Sequence, residues 1–254
     1  MSNMKIFRIL VCSLIIVITS IACNKKNKDE NNAEAIVNKA IKVSGGEKIE
    51  SSVISFQFRD RYYKAIRNEG EFVLERRFQD STKVVTDRLS NSGVNRFING
   101  QLQNLQDSIA VKYGNSVNSV HYFSVLPYGL NDAAVNKKYL EQTKLMDKDY
   151  HKIKITFDEV GGGEDFDDVF IYWIGKESNE VDYLAYSFHV NGGGVRFRKA
   201  YNERYVDGIR FVDYENYKPT DKGANILELG KLFEQNKLEL LSKIELKNVE
   251  VNLK

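Results

Sequence analysis

The sequence predicts a mainly β fold with some helix (α+β): a curved antiparallel sheet or incomplete β-barrel of about ten strands, with about two or three helices packed on its concave face. Three observations lead there. From Ile54 onward apolar and polar residues alternate with a period of two; clusters of Asn, Ser and Gly separate the runs; and 14 Phe and 14 Tyr stand against two prolines, Pro127 and Pro219. Such alternation marks strands with one face in the core. An aromatic-rich, proline-poor composition suits extended antiparallel pairing. Strands joined by short turns must close or cover their edges, which an incomplete barrel with helices laid against it achieves. A closed, lipocalin-like barrel is the alternative.

The first 22 residues stand apart from this domain. Lys5 and Arg8 precede the apolar run Ile9–Ile18, and Ser20, Ile21 and Ala22 lead into Cys23. The run falls short of the roughly 20 residues that a bilayer core asks of a helix, and the whole arrangement reads as an export signal. Ser20 to Cys23 resembles the lipobox of bacterial lipoproteins, with Ser20 where a Leu-like residue is usual. The resemblance implies cleavage before Cys23 and a diacylglycerol on its thiol. Two or more acyl chains, at about 0.8 kcal/mol per buried methylene, hold such a protein to a membrane essentially permanently. The expected organisation is a signal peptide over residues 1–22, lipidated Cys23 with a polar tether over residues 23–32, and a single domain over residues 33–254. Within the tether, Lys28-Asp29-Glu30 is similar to the Lys-then-acidic export signal of surface lipoproteins in Bacteroidota, though it lies further from the cysteine. The expected location is the cell envelope, lipid-anchored to the outer membrane at its periplasmic face or at the cell surface.

Losing Lys5 and Arg8 takes the 37 basic residues to 35, against 35 Asp and Glu, so the mature chain has no net formal charge. The precursor's pI of about 8.3 therefore gives no ground for nucleic-acid binding, which needs a clustered positive surface. Cys12 leaves with the signal and Cys23 carries lipid. No internal disulfide is then available, and a monomer held by its own core is expected.

Along the domain, Ile36, Val37, Ala40 and Ile41 recur at helical spacing before Gly45-Gly46 stops the helix. Strands follow over Val53–Tyr63 and Glu71–Phe78, with a turn at Asn68–Gly70, then over Thr82–Leu89, Val94–Ile98 and Ser108–Tyr113. Residues 115–132 break the rhythm: Val117, Val120 and Phe123 share a helical face before Pro127. Strands resume at Tyr139–Met146, His151–Val160, Asp168–Gly175, Val181–Val190, Val195–Tyr201 and Ile209–Tyr217. Ile226–Phe233 reads as helix and Leu238–Val251 as mixed or extended.

No HExxH, CxxC, GxSxG or Walker spacing is present, so no catalytic residue, metal ligand or cofactor is assigned. The acidic stretch Glu164, Asp165, Asp167, Asp168 offers oxygen ligands, but Val169 breaks the spacing of a calcium loop, and an acidic hairpin loop is the simpler reading. Gly192–Gly194 has alternating flanks and no following helix, which suits a hairpin turn and not a phosphate cradle. Arg196 and Arg198 share a strand face opposite Phe197. Trp173 shares one with Ile171 and Val169, and Tyr186 shares one with Leu184 and Phe188. These aromatic stripes either fill a core or line an apolar cavity.

From His151 onward the order HKIKITF, VFIYWIG, YLAYSF, RFRKAY and VDGIRFVDYENY resembles the second half of the lipoprotein-carrier fold (LolA/LolB-like). More closely, NSVNSVHYFSVLPYGLND, GGGEDFDDVFIYWIG, DYLAYSFHVNGGGVRFRKAYN and GIRFVDYENYKP resemble an uncharacterised Bacteroidota lipoprotein family. The resemblance implies an incomplete antiparallel barrel capped by helices, with an interior suited to an acyl chain, and it carries over no catalytic residues. The leading expectation is an envelope lipoprotein that binds a hydrophobic or amphipathic, lipid-like ligand. Phe123, Trp173, Tyr186 and Phe188 would line the cavity, and His189 or Arg196 would meet a polar head group. Two alternatives stay open. An envelope hydrolase predicts His189 or His121 beside a carboxylate and a hydroxyl, and a non-catalytic outer-membrane interaction module predicts a large exposed apolar patch.

Overall fold

Two seven-stranded antiparallel sheets organise the chain, the first half of the sequence building most of one and the second half most of the other. The computed structural model describes residues 32–163, 166–189, 192–221 and 223–254; the expected signal peptide, Cys23, the tether before Asn32, and Glu164 and Asp165 lie outside these. Helix α1 (Ala33–Val43) begins where Asn32 caps it, its side chain accepting from the amides of Glu34 and Ala35 at 3.0 and 3.3 Å. The short α2 (Gly46–Ile49) leads into β1 (Ser52–Phe58), β2 (Arg61–Asn68), β3 (Glu71–Asp80), β4 (Lys83–Ser90), β5 (Gly93–Ile98) and β6 (Gln101–Leu102). Helix α3 (Asp107–Ser124) and a 3-10 turn (Tyr128–Asn131) cross to β7 (Val135–Leu145), β8 (Lys148–Phe157), β9 (Phe170–Gly175), β10 (Val181–Phe188), β11 (Gly194–Val206) and β12 (Ile209–Pro219). A 3-10 turn (Ile226–Glu228), α4 (Leu229–Glu234), β13 (Leu238–Ile244) and β14 (Lys247–Leu253) complete the chain.

The sheet orders are β14-β1-β2-β3-β4-β5-β6 and β13-β12-β11-β10-β9-β8-β7. Each sheet keeps two edges, so the barrel is incomplete. Glu69-Gly70, Asn99-Gly100, Met146-Asp147 and Asp207-Gly208 turn four of the hairpins with both residues at positive φ, the hand that matches strand twist.

The described residues form fourteen strands, more than the sequence marks. Val53–Tyr63 divides at Arg59 (φ 57°) and Asp60, a tight turn that no glycine announces. Leu238–Val251 is two strands, and they extend different sheets. Ser108–Tyr113 is a correction: it is not a strand but the start of α3. The alternation of Ile109, Val111 and Tyr113 imitated a strand, yet Val111 is 42% exposed, and Gly114, Val117, Val120, His121 and Ser124 form the buried stripe. A Cβ on Gly114 would meet Val94 Cγ2 at 2.7 Å, so the glycine lets α3 lie close on β5. Long-range packing overrides a weak local preference here.

The main core lies between the sheets, where Ile54 and Phe56 of β1 join Ile153, Tyr172, Leu184, Phe211 and Tyr214, with Ile36, Val37 and Ala40 of α1 closing one side. The second sheet buries its other face as well. There Ile171, Trp173, Tyr183, Ala185 and Phe197 pack beneath Leu229 of α4.

Candidate functional site

Guanidinium groups and aromatic rings alternate along a band of pairwise contacts that passes from β1 through α3 to the second sheet. β1 ends at Phe58, and the turn that follows lays Arg59 5.1 Å from its ring. Antiparallel register sets Arg61 opposite Phe58, and Arg61 lies 4.6 Å over Phe78 of β3. Arg59, Asp60, Arg61, Tyr62, Arg77 and Phe78 wall a groove of about 630 Å³, within the volume range of small-molecule sites. Asp60 pairs there with Arg61 at 3.6 Å.

Phe58 carries the band across to the second sheet. Its ring meets Phe123 of α3 edge-on at 5.4 Å, and Phe123 faces the guanidinium of Arg198 at 5.4 Å. Arg198 also lies 4.9 Å from the Tyr186 ring and 6.0 Å from that of Tyr214, and its Nη2 donates to the Tyr186 hydroxyl at 3.2 Å. Arg196 lies 4.7 Å over Phe188 and donates to the Val195 carbonyl at 2.9 Å. Strand parity explains the assembly: Arg198 pairs with Leu184 and Arg196 with Tyr186 across β10 and β11, so all four residues share the inward face.

The electrostatics of the band are unbalanced. Among the described residues neither Arg196 nor Arg198 meets a carboxylate, and the Arg198 Nε is buried without a hydrogen-bond partner. An unmatched buried donor costs more than a matched one returns, so the site favours an acceptor that bears negative charge.

Of the residues proposed from sequence, the structure brings Phe123, Tyr186, Phe188 and Arg196 together. Trp173 is a correction. In the β9–β10 register it pairs with Tyr183 while Tyr172 pairs with Leu184, which puts it on the opposite face of the sheet from Tyr186. It is 2% exposed, against Phe197 and close to Gly230 of α4. His189 stands beyond the band on a side chain 61% exposed, its Nδ1 3.2 Å from both Asp167 and Asp168. The ligand atoms of these three lie within 4.8 Å of one another, close enough to share one cation. His121 is elsewhere and buried. Burial, with Arg67 adding, drives its pKa down to about 3 against the opposing pull of a hydrogen bond to the Glu75 carbonyl. Its ring is therefore neutral, with Nε2–H donating to that carbonyl and Nδ1 left as an acceptor.

Arg198 was visible in the sequence only as the partner of Arg196 on one face. Arg59 and Arg61 gave no signal, because only the pairing of β1 with β2 and the reach of Phe58 to Phe123 bring them to this band.

A family model matches residues 4–246. The chain belongs to a family of unknown function, DUF6503. No curated protein matches it. Among solved structures it is similar to a LolA superfamily protein from Nitrosomonas europaea, with 12% identity, 87% of this chain and 91% of that one covered, and a TM-score of 0.47. It is also similar to a DUF1329 family protein from Desulfovibrio piger, with 9% identity, coverage of 86% and 92%, and a TM-score of 0.49. Both scores are below 0.5, and neither likeness carries a functional argument. Among the described residues no helix is long and apolar enough to cross a membrane.

Proposed function

We propose that this DUF6503 protein is a lipid-anchored envelope protein that binds an amphipathic anionic ligand along the band between its sheets. The apolar part of the ligand lies against Phe58, Phe123, Tyr186 and Phe188, and its acidic head meets Arg196 and Arg198. One observation carries the reading: Arg198 is set among three aromatic rings with a buried Nε that no group of the described protein accepts. The anchor rests on the run from Lys5 to Cys23, whose pattern is that of a lipidated export signal.

The test is native mass spectrometry of protein purified without delipidation. A bound mass in the lipid range is expected in the wild type. Arg198→Leu is expected to weaken retention about tenfold or more, since hydrogen bonds to charged groups are worth about 1.5–3 kcal/mol. A wild type that flies without cargo, and takes none from added fatty acid or phospholipid, removes the proposal. For the anchor, labelled palmitate enters the wild type and not Cys23→Ala; an unlabelled wild type removes that part.

A further inference from the structure

A second cleft opens on the other flank of α3. It measures about 380 Å³ and lies between the β2–β3 hairpin, the second half of α3 and the turn that carries Tyr128. Its central cation is Arg67, which shares the inward face of β2 with Tyr63 and Ala65 and stands opposite Phe72. Among the described residues no side-chain hydrogen bond or ion pair reaches this guanidinium. Its Nη1 is buried without a partner, and the guanidinium lies 5.7 Å from the centre of the Tyr128 ring. Burial lowers the Arg67 pKa, as it does for a charge held out of water without a counter-ion. The neutral His121 ring beside it also keeps a buried Nδ1 without a donor.

The rest of the lining has the opposite sign. Glu50, Glu71 and Asp132 border the same cleft, all exposed, and among the described residues none of them holds a salt bridge. Tyr128 stands between the two signs: burial raises its pKa, Arg67 lowers it, and Glu50 and Asp132 raise it. A bare polyanion would satisfy Arg67 and be repelled at the rim. A bare cation would meet the rim and leave Arg67 unmatched.

The geometry points to a binding site for a small zwitterion, its carboxylate or phosphate on Arg67 and its cationic end toward Glu50, Glu71 and Asp132, with Phe72, Tyr122 and Tyr128 around the linker. This site stands independently of the band that holds Arg198. A free amino acid and a zwitterionic lipid head group share the required chemistry. Aromatic faces favour the cationic end of either one.

Calorimetry on the full chain with four probes tests the site: glycerophosphocholine, L-leucine, inorganic phosphate and choline chloride. At least one zwitterion is expected to bind tenfold or more tighter than phosphate or choline, and whichever of the two it is names the source. Arg67→Met is expected to lose that binding at least tenfold while melting at the same or a higher temperature, because it removes a buried charge that the fold does not pair. A triple variant, Glu50→Gln with Glu71→Gln and Asp132→Asn, is expected to fold and to lose the preference for a zwitterion over phosphate. Phosphate or choline binding as tightly as both zwitterions overturns the proposal, as does the absence of heat with all four probes. An Arg67→Met protein that melts several degrees lower makes the arginine structural and overturns it too.

Discussion

The first sheet hides one face and sets a row of charges at its centre, whereas the second hides both faces, packs rings through its middle strands and keeps its buried charges, Lys152, Arg210 and Asp213, on the strands to either side. Arg76, Asp87 and Arg96 stand opposite one another across β3, β4 and β5. Asp87 is 0% exposed and accepts from Arg76 Nη2 at 2.6 Å and from Arg96 Nε at 2.5 Å. Above them α3 supplies the Ser116 hydroxyl, 2.5 Å from Arg76 Nη1, and the Tyr113 ring beneath Arg96. In the second sheet Ile171, Tyr172, Trp173 and Ile174 are all buried in succession, because α4 covers one face and the main core the other. The difference shows two ways of closing a half-open barrel. One helix lies over a matched ionic row, and the other over a layer of rings whose buried cation, Lys152, is matched at its edge by Glu141 and the Leu227 carbonyl.

The sharpest way to break the contrast is Asp87→Ala, which leaves the buried Arg76 and the partly buried Arg96 without their carboxylate. It is expected to cost about 3–5 kcal/mol in urea unfolding, as breaking a buried ion pair does. Replacing Arg76, Asp87 and Arg96 together by Met, Leu and Met is expected to recover most of that loss, since apolar replacement of a whole buried ionic group is often neutral or stabilising. A triple variant as unstable as Asp87→Ala would show that the ionic row itself holds the sheet.

The next effect is one of pH and belongs to the first sheet alone. His121, on the buried face of α3, has a folded pKa of about 3, below the ordinary value of about 6.5. As pH falls through 6.5 the unfolded chain takes up a proton that the folded chain refuses, so stability is full above that pH and declines toward pH 3. Between pH 6.5 and 4 the loss is expected to reach about 3 kcal/mol from this residue. His121→Gln keeps a donor for the Glu75 carbonyl and should flatten this part of the profile. An unchanged slope would remove the assignment.

The smallest effects come from the glycines on which the covering helices rest. Gly114→Ala drives a methyl to 2.7 Å from Val94 Cγ2 and is expected to cost about 1–3 kcal/mol, as overpacking does. Gly230→Ala brings one to 3.0 Å from the Trp173 ring. The approach there is less severe, so the ring has only a few tenths of an ångström to give and the loss is expected to be smaller. The same urea titration ranks the two, and equal losses would mean that α3 and α4 sit on their sheets in the same way.

How much of this was legible depends on the range of the physics involved. Periodicity of two put Arg196 with Arg198, and Tyr186 with Phe188, because alternation along one strand is a local property. It could not relate the Trp173 stripe to the Tyr186 stripe, since that relation depends on the register of β9 against β10 and on the bulge between Val181 and Tyr183. The same limit hid the Arg67 cleft, whose walls come from a hairpin, a helix that opens with strand-like alternation, and a turn.

By itself the sequence determined the β class, the glycine-bearing hairpin turn at Asn68–Gly70, and the sharing of faces within each strand. Backbone sterics and alternation act over a few residues, so these are written locally. Tertiary structure alone decided that Ser108–Tyr113 coils, that Trp173 turns away from Phe123, and that Phe58, beside Arg59, reaches Phe123 and through it Arg198. Each of those outcomes depends on which distant strand pairs with which and on which face is left to cover, and no short stretch of chain carries that information.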